Sequence, residues 1–187
     1  MPVGDVNSNE RGSGARYNDG KPDLSLIPLW TLYAHKPSET LNPAELALDY
    51  LGEFQRTRSC TALRLALRVL GGGNYPLAAA ARVFERGKQK YAAWNWAKGM
   101  AWSIPLASAA RHLQAHIEGE GCDPESGEPH LGHAACNLFM LLHYAEYFKE
   151  GDDLPPQMCF TKPGTHHLSG SYDTVSAESR LSQWAYE

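Results

Sequence analysis

Residues 105–148 read PLASAARHLQAHIEGEGCDPESGEPHLGHAACNLFMLLHYAEYF, and their periodicity decides the fold. At about 100° per residue, Leu106, Ala110, Leu113 and Ile117 form one stripe, with His112 and His116 together on its flank. Further on, Leu131, Ala135, Leu138 and Leu142 make a greasy side, while His130, His133 and Asn137 share a face with Ala134 and Leu141. Pro105 and Pro129 stand where helices can start, because proline fits the first turn. The polar run between them is turn chemistry, with Asp123-Pro124-Glu125-Ser126-Gly127 at its centre. Two neighbouring amphipathic helices are expected, each presenting paired imidazoles near one loop.

Towards the N-terminus, Pro43 opens a long helical stretch up to Leu70, with Leu46, Tyr50, Leu51 and Phe54 at helical spacing, and Gly71-Gly72-Gly73 stops it. A further helix is predicted from Pro76 through Tyr91, followed by the compact aromatic loop AAWNWAKGMAW. No alternating strand pattern and no internal repeat occurs. The expected fold is therefore all-α: one helical bundle over 15–154, a flexible leader at 1–14 poor in groups to bury, and an irregular tail at 155–187.

Composition bounds the function. The 187 residues include 43% apolar and 10% aromatic side chains, enough for a real core in one domain. A net charge of −4 argues against a binder of duplex nucleic acid. No run nears the roughly 18 apolar residues that span a bilayer, and MPVGDVNSNERGSG lacks a signal-peptide core, so a cytoplasmic protein without a membrane partner is expected. Cys60, Cys122, Cys136 and Cys159 form no CxxC pair and read as reduced, partly buried thiols.

The charge is unevenly spread. Residues 1–111 carry 14 Lys and Arg against 9 Asp and Glu, whereas 112–187 carry 3 against 12. From His112 to Phe148 there is no Lys or Arg, yet five of the eight histidines and six carboxylates fall there. Donors at i,i+3 and i,i+4 spacing on adjacent helices can converge on a divalent ion, and a mixed imidazole and carboxylate set suits Mn²⁺ or a similar borderline cation. His112, His130, His133 and Asp123 are the candidate ligands. His116 and His143 read as bystanders, and His166-His167 as a polar loop pair. Asp123, Glu125 and Glu120 are the candidate catalytic carboxylates, one of them a base for a metal-bound water.

An acidic half that holds a metal calls for an anionic substrate bridging to the basic half. Arg16, Lys21, Lys88, Lys90, Lys98 and Arg111 are available cations, and the turn Asn18-Asp19-Gly20-Lys21 suits phosphate although no Walker A spacing occurs. In Trp94-Asn95-Trp96-Ala97-Lys98-Gly99, flat rings stand beside an amide and a cation, a grouping found where nucleobases stack.

Three blocks, GARYNDGKPDLSLIP, ERGKQKYAAWNWAKGM and AARHLQAHIEGEGCDPESGEPHLGHAACNLFMLL, together resemble the dATP/dGTP diphosphohydrolase-like family of tailed phages and prophages, grouped with the MazG-like all-α nucleotide pyrophosphohydrolases. Relative to that family, residues 34–73 look like a helical insertion, a dimer-forming or lid element. The resemblance implies metal-dependent hydrolysis (Mn²⁺ or Mg²⁺) of a purine deoxynucleoside triphosphate to monophosphate and pyrophosphate in a phage nucleotide pool. Carried over by position, it implies substrate contacts from Arg16, Asn18, Asp19, Lys21, Lys90, Asn95, Trp96, Lys98 and Arg111. MazG-like enzymes bind Mg²⁺ through an EExxE helix that this sequence lacks, so imidazoles would stand in for carboxylates. A nucleotide-sequestering module without turnover remains an alternative, as does an HD-type phosphohydrolase, although no His-Asp dipeptide occurs. A structural or assembly role comes third. A homo-oligomer is expected, with Trp184 and Tyr186 of the tail able to dock on the body or a second subunit.

Overall fold

The computed structural model describes residues 4–16, 18, 20–31 and 42–156. Five α-helices form it: α1 Pro43–Thr57, α2 Cys60–Leu70, α3 Leu77–Tyr91, α4 Ser103–Ile117 and α5 His130–Tyr147. Short 3-10 turns sit at Leu24–Leu26, Leu29–Thr31, Asn95–Lys98 and Lys149–Gly151, and no strand is present among the described residues. The all-α bundle is what the periodicity predicted. No helix of the described residues is long and apolar enough to cross a membrane.

The stretch expected as one helix over 43–70 is two. A capping box at Asn42 and Glu45 starts α1, and Arg58 ends it in the left-handed conformation, φ 61°. Neither Gly nor Pro marks this break. The Arg58 guanidinium instead bonds Asp152 Oδ2 at 2.8 Å and the Pro155 carbonyl at 3.0 Å, so partners far along the chain hold the turn. Gly71 ends α2 as predicted: a Cβ there would lie 2.0 Å from the Asn74 carbonyl oxygen.

Leu48, Leu51 and Phe54 of α1 and Leu63 and Leu67 of α2 bury in the same core as Leu106 and Leu113 of α4 and Leu138, Leu141 and Tyr144 of α5. Thus 43–70, the helical part of the expected insertion, is built into the bundle. Gln55, fully buried, ties α1 to the preceding segment: its amide donates to the Ser25 and Ile27 carbonyls at 2.8 and 3.1 Å and accepts from Leu29 N–H at 3.0 Å.

The expected leader, as far as described, lies against the body. Gly12 and Gly14 N–H donate to the Lys98 and Gly99 carbonyls, and Arg11 pairs with Glu150. Of the tail, 157–187 lies outside the described residues, as do Cys159, His166, His167, Trp184 and Tyr186.

Helix α3 touches the core along one edge, through Ala80, Val83 and Phe84. Only Ala80 of it is buried, and it packs on α5 where Gly132 lets the backbones approach: a Cβ at Gly132 would meet the Ala79 carbonyl oxygen at 3.2 Å. This leaves a cleft of about 970 Å³ between α3, α4, α5, the aromatic loop and the segment around Arg16.

Candidate functional site

The floor of the cleft is the imidazole cluster. His112 comes from α4, and His130 and His133 from the first turn of α5. His112 Nδ1 lies 2.9 Å from His130 Nδ1, and the His112 and His133 rings stack at 4.4 Å and 18°. The loop between the helices is closed by its backbone: Asp123 N–H donates to the Glu128 carbonyl, Gly127 N–H to the Asp123 carbonyl and His130 N–H to the Gly121 carbonyl. Asp123 is thereby fixed beside the rings. Its Oδ2 accepts from Ser126 N–H at 2.9 Å and stands 3.8 Å from His133 Nε2, while Ser126 Oγ hydrogen-bonds the same Nε2 at 2.7 Å.

Ligand atoms of His112, Asp123 and His130 all lie within 4.8 Å of one another, close enough to share one ion. The protonation of His112 and Asp123 suits that task. Burial, reinforced by the neighbouring His133 and His130, lowers His112 to about 3, so it is neutral with a lone pair to give. Burial also lowers His133, against the opposing pull of Asp123. For Asp123 burial pushes upward, but hydrogen bonds from Ser126 and the adjacent imidazoles outweigh it and keep the carboxylate ionised. His130 Nε2 is buried without a hydrogen-bond partner; Glu120 Oε2 lies 3.3 Å away, out of hydrogen-bond alignment. A buried, orphaned ring nitrogen beside a carboxylate is a position that a cation would satisfy.

The cleft wall carries cations. Arg16 reaches in from the N-terminal segment: its guanidinium donates to Ser108 Oγ at 2.7 Å and contacts Met140 Sδ at 3.7 Å. No carboxylate pairs with it among the described residues, and burial disfavours its charged form. Although desolvated at depth, the residue keeps some exposure through the cleft. Ser108 also accepts from Asn137 Nδ2, which donates in turn to the His133 carbonyl, so a hydrogen-bond chain links Arg16 to the imidazole cluster. Arg111 donates to the Pro22 carbonyl and to Asn18 Oδ1; burial and then Arg16 lower it.

Other predicted site residues have protein partners. Glu125 is exposed and paired with Lys90 at 2.9 Å and Lys21 at 3.6 Å; all three line the cleft rim. The bond from Lys90, then its charge and that of Lys21, lower Glu125. Asn95 is buried, and its amide brackets the Ala15 backbone, donating to the carbonyl at 2.9 Å and accepting from N–H at 3.3 Å. Lys98 donates to the Val6 and Ser8 carbonyls and does not line the cleft. Trp96 packs on Phe84, Trp94 and His143, whereas Trp94 is 72% exposed at the cleft. Asp19 lies outside the described residues. His143 packs on Trp96 and Tyr147, away from the cleft lining, and His116 does not line the cleft either. Sequence reasoning did not single out Ser108, and it named Trp94 only as one of the flat rings of the aromatic loop. Ser108 had a signal: it is the one polar residue in the apolar run 104–110, one turn before His112.

Residues 74–154 match the family model described as dATP/dGTP diphosphohydrolase, N-terminal. That segment is similar to the dATP/dGTP diphosphohydrolase family. The family description is that of a nucleotide hydrolase, and the matched segment contains α3, α4, α5 and every candidate metal ligand. Arg16, Asn18 and Lys21 fall outside the diphosphohydrolase match, yet the fold carries Arg16 onto Ser108 inside it. No curated protein and no solved structure matches the chain.

Proposed function

We propose that this chain hydrolyses purine deoxynucleoside triphosphates to the monophosphate and pyrophosphate with the help of a divalent ion, as a part of nucleotide-pool metabolism. The observation that carries the reading is one cleft holding both an imidazole and carboxylate donor set, with His112 neutral, and a desolvated arginine that has no carboxylate partner among the described residues. Buried charge without a partner is costly, so a site that keeps one is built for an anion.

His112, Asp123 and His130 would hold the ion, which supplies Lewis acidity and a water of lowered pKa. Arg16, supported by Ser108, offsets charge on the phosphate chain, and Arg111 reinforces the positive potential beside it. Among the three predicted catalytic carboxylates, Asp123 is engaged by Ser126 and Glu125 by two lysines, which leaves Glu120 to take the proton of the attacking water. The oxygen of that water bonds to the α-phosphorus, the bond from that phosphorus to the bridging oxygen breaks, and pyrophosphate leaves with the electron pair.

The test is incubation of the full chain with each dNTP and Mn²⁺ or Mg²⁺, resolving pyrophosphate from phosphate and triphosphate. Pyrophosphate from dATP or dGTP in metal, lost in Asp123→Ala, is expected. Phosphate or triphosphate as the only product, or tight nucleotide binding with no product, overturns the assignment; the latter identifies a sequestering module.

A further inference from the structure

Neither the family match nor the ligand cluster says where the base of a nucleotide would sit. The loop after α3 offers an answer. Ala92 and Trp94 both have left-handed backbones, φ 82° and 61°, in a chain where only one other described non-glycine residue, Arg58, has positive φ. Each such residue costs about 1 kcal/mol or more, and strain of this kind collects where a side chain must be presented in one direction. The side chain presented is Trp94, left 72% exposed. Its ring leans on Trp96 at 5.8 Å, and Trp96 is itself braced by Phe84 at 5.2 Å and His143 at 5.2 Å. The indole therefore has a supported side, and the cleft reaches it.

The next residue fixes the spacing. The buried amide of Asn95 makes two hydrogen bonds to Ala15, the neighbour of Arg16, and Gly14 N–H donates to the Gly99 carbonyl at the other end of the same turn. The loop carrying the ring and the segment carrying the cation are thus one unit. An aromatic face and a guanidinium held at a set separation in one cleft fit a ligand with a flat base at one end and phosphates at the other.

We propose that Trp94 is the platform on which the nucleobase stacks, with Asn95 a positioning residue that fixes the ring relative to Arg16. This deepens the nucleotide reading of the cleft and rests on it. Purines, with the larger ring face, gain more from the platform than pyrimidines do.

Calorimetric titration of the full chain with dATP, dCTP and inorganic tripolyphosphate, without added metal, tests it apart from turnover. Trp94→Ala should weaken dATP roughly 5- to 150-fold, the range of a lost base stack, weaken dCTP less and leave tripolyphosphate within about twofold. Trp94→Phe should keep most of the dATP affinity. Equal losses for all three ligands would make the residue merely structural, and unchanged dATP binding would place the base elsewhere; either overturns the proposal. Base-dependent binding through Trp94 in a protein that releases no pyrophosphate would uphold the platform and sink the hydrolysis. No measurable binding of dATP either without metal or with added Mn²⁺ would overturn both.

Discussion

Replacing Arg16 by methionine should move stability and ligand binding in opposite directions. The guanidinium is held by Ser108 Oγ and Met140 Sδ, with no carboxylate among the described residues, and burial works against its charge. Exchange of buried ionic groups for apolar side chains of similar volume stabilises by up to about 1–4 kcal/mol in favourable cases. Two effects pull this towards the low end: the cleft admits some solvent to Arg16, and the Ser108 bond, worth about 1 kcal/mol net, is lost. A gain of about 1–2 kcal/mol follows, or roughly 2–8 °C in Tm for a chain of this size. Tripolyphosphate should behave oppositely. At 100 times its Kd a ligand stabilises by about 2.7 kcal/mol, and the variant should lose most of that shift. Melting followed by circular dichroism, with and without tripolyphosphate in metal-free buffer, reads both effects. A variant that melts below the wild type and keeps the full phosphate-induced shift would refute the view of Arg16 as an unpaired cation awaiting an anion.

The histidine cluster makes metal-free stability depend on pH. His112 lies near 3 in the folded chain against 6.5 unfolded, so as pH falls the unfolded state takes the proton first. Its contribution is complete above about 6.5 and drains away towards 3, with a slope of up to about 1.4 kcal/mol per pH unit for this one group. Urea unfolding at several pH values should show that slope, and His112→Phe should flatten it. Two glycines should separate by environment. Gly87 lies inside α3, where an added methyl group would meet only open space, so Gly87→Ala should bring a gain of up to about 1 kcal/mol. At Gly52 a Cβ would meet Trp30 N at 2.6 Å, so Gly52→Ala should cost about 1–3 kcal/mol in the same urea assay.

Much of the fold was legible because proline and glycine punctuate it. Pro43, Pro76, Pro105 and Pro129 stand at or near the starts of α1, α3, α4 and α5, and Gly71 ends α2. The break between α1 and α2 was not legible, since the groups that stabilise the Arg58 turn, Asp152 and Pro155, lie nearly a hundred positions away. The site divides along the same line. The convergence of His112, His130 and Asp123 was legible because helical spacing and a short loop constrain them locally, while His133, also named as a ligand, stacks on His112 and is not one of that group. Chemistry alone also nominated Asn95 and Lys98, whose polar groups proved to hold the N-terminal segment in place. Trp94 and Trp96 were indistinguishable by residue type, and only the backbone turn at φ 61° decides which ring is packed and which is open.

Hydrolysis of dATP in ¹⁸O-labelled water tests the central claim most directly, because the label marks the phosphorus that was attacked. The account predicts ¹⁸O in dAMP and none in the pyrophosphate released with it. Label in inorganic phosphate with dADP as the partner product, or in tripolyphosphate or pyrophosphate, would contradict it.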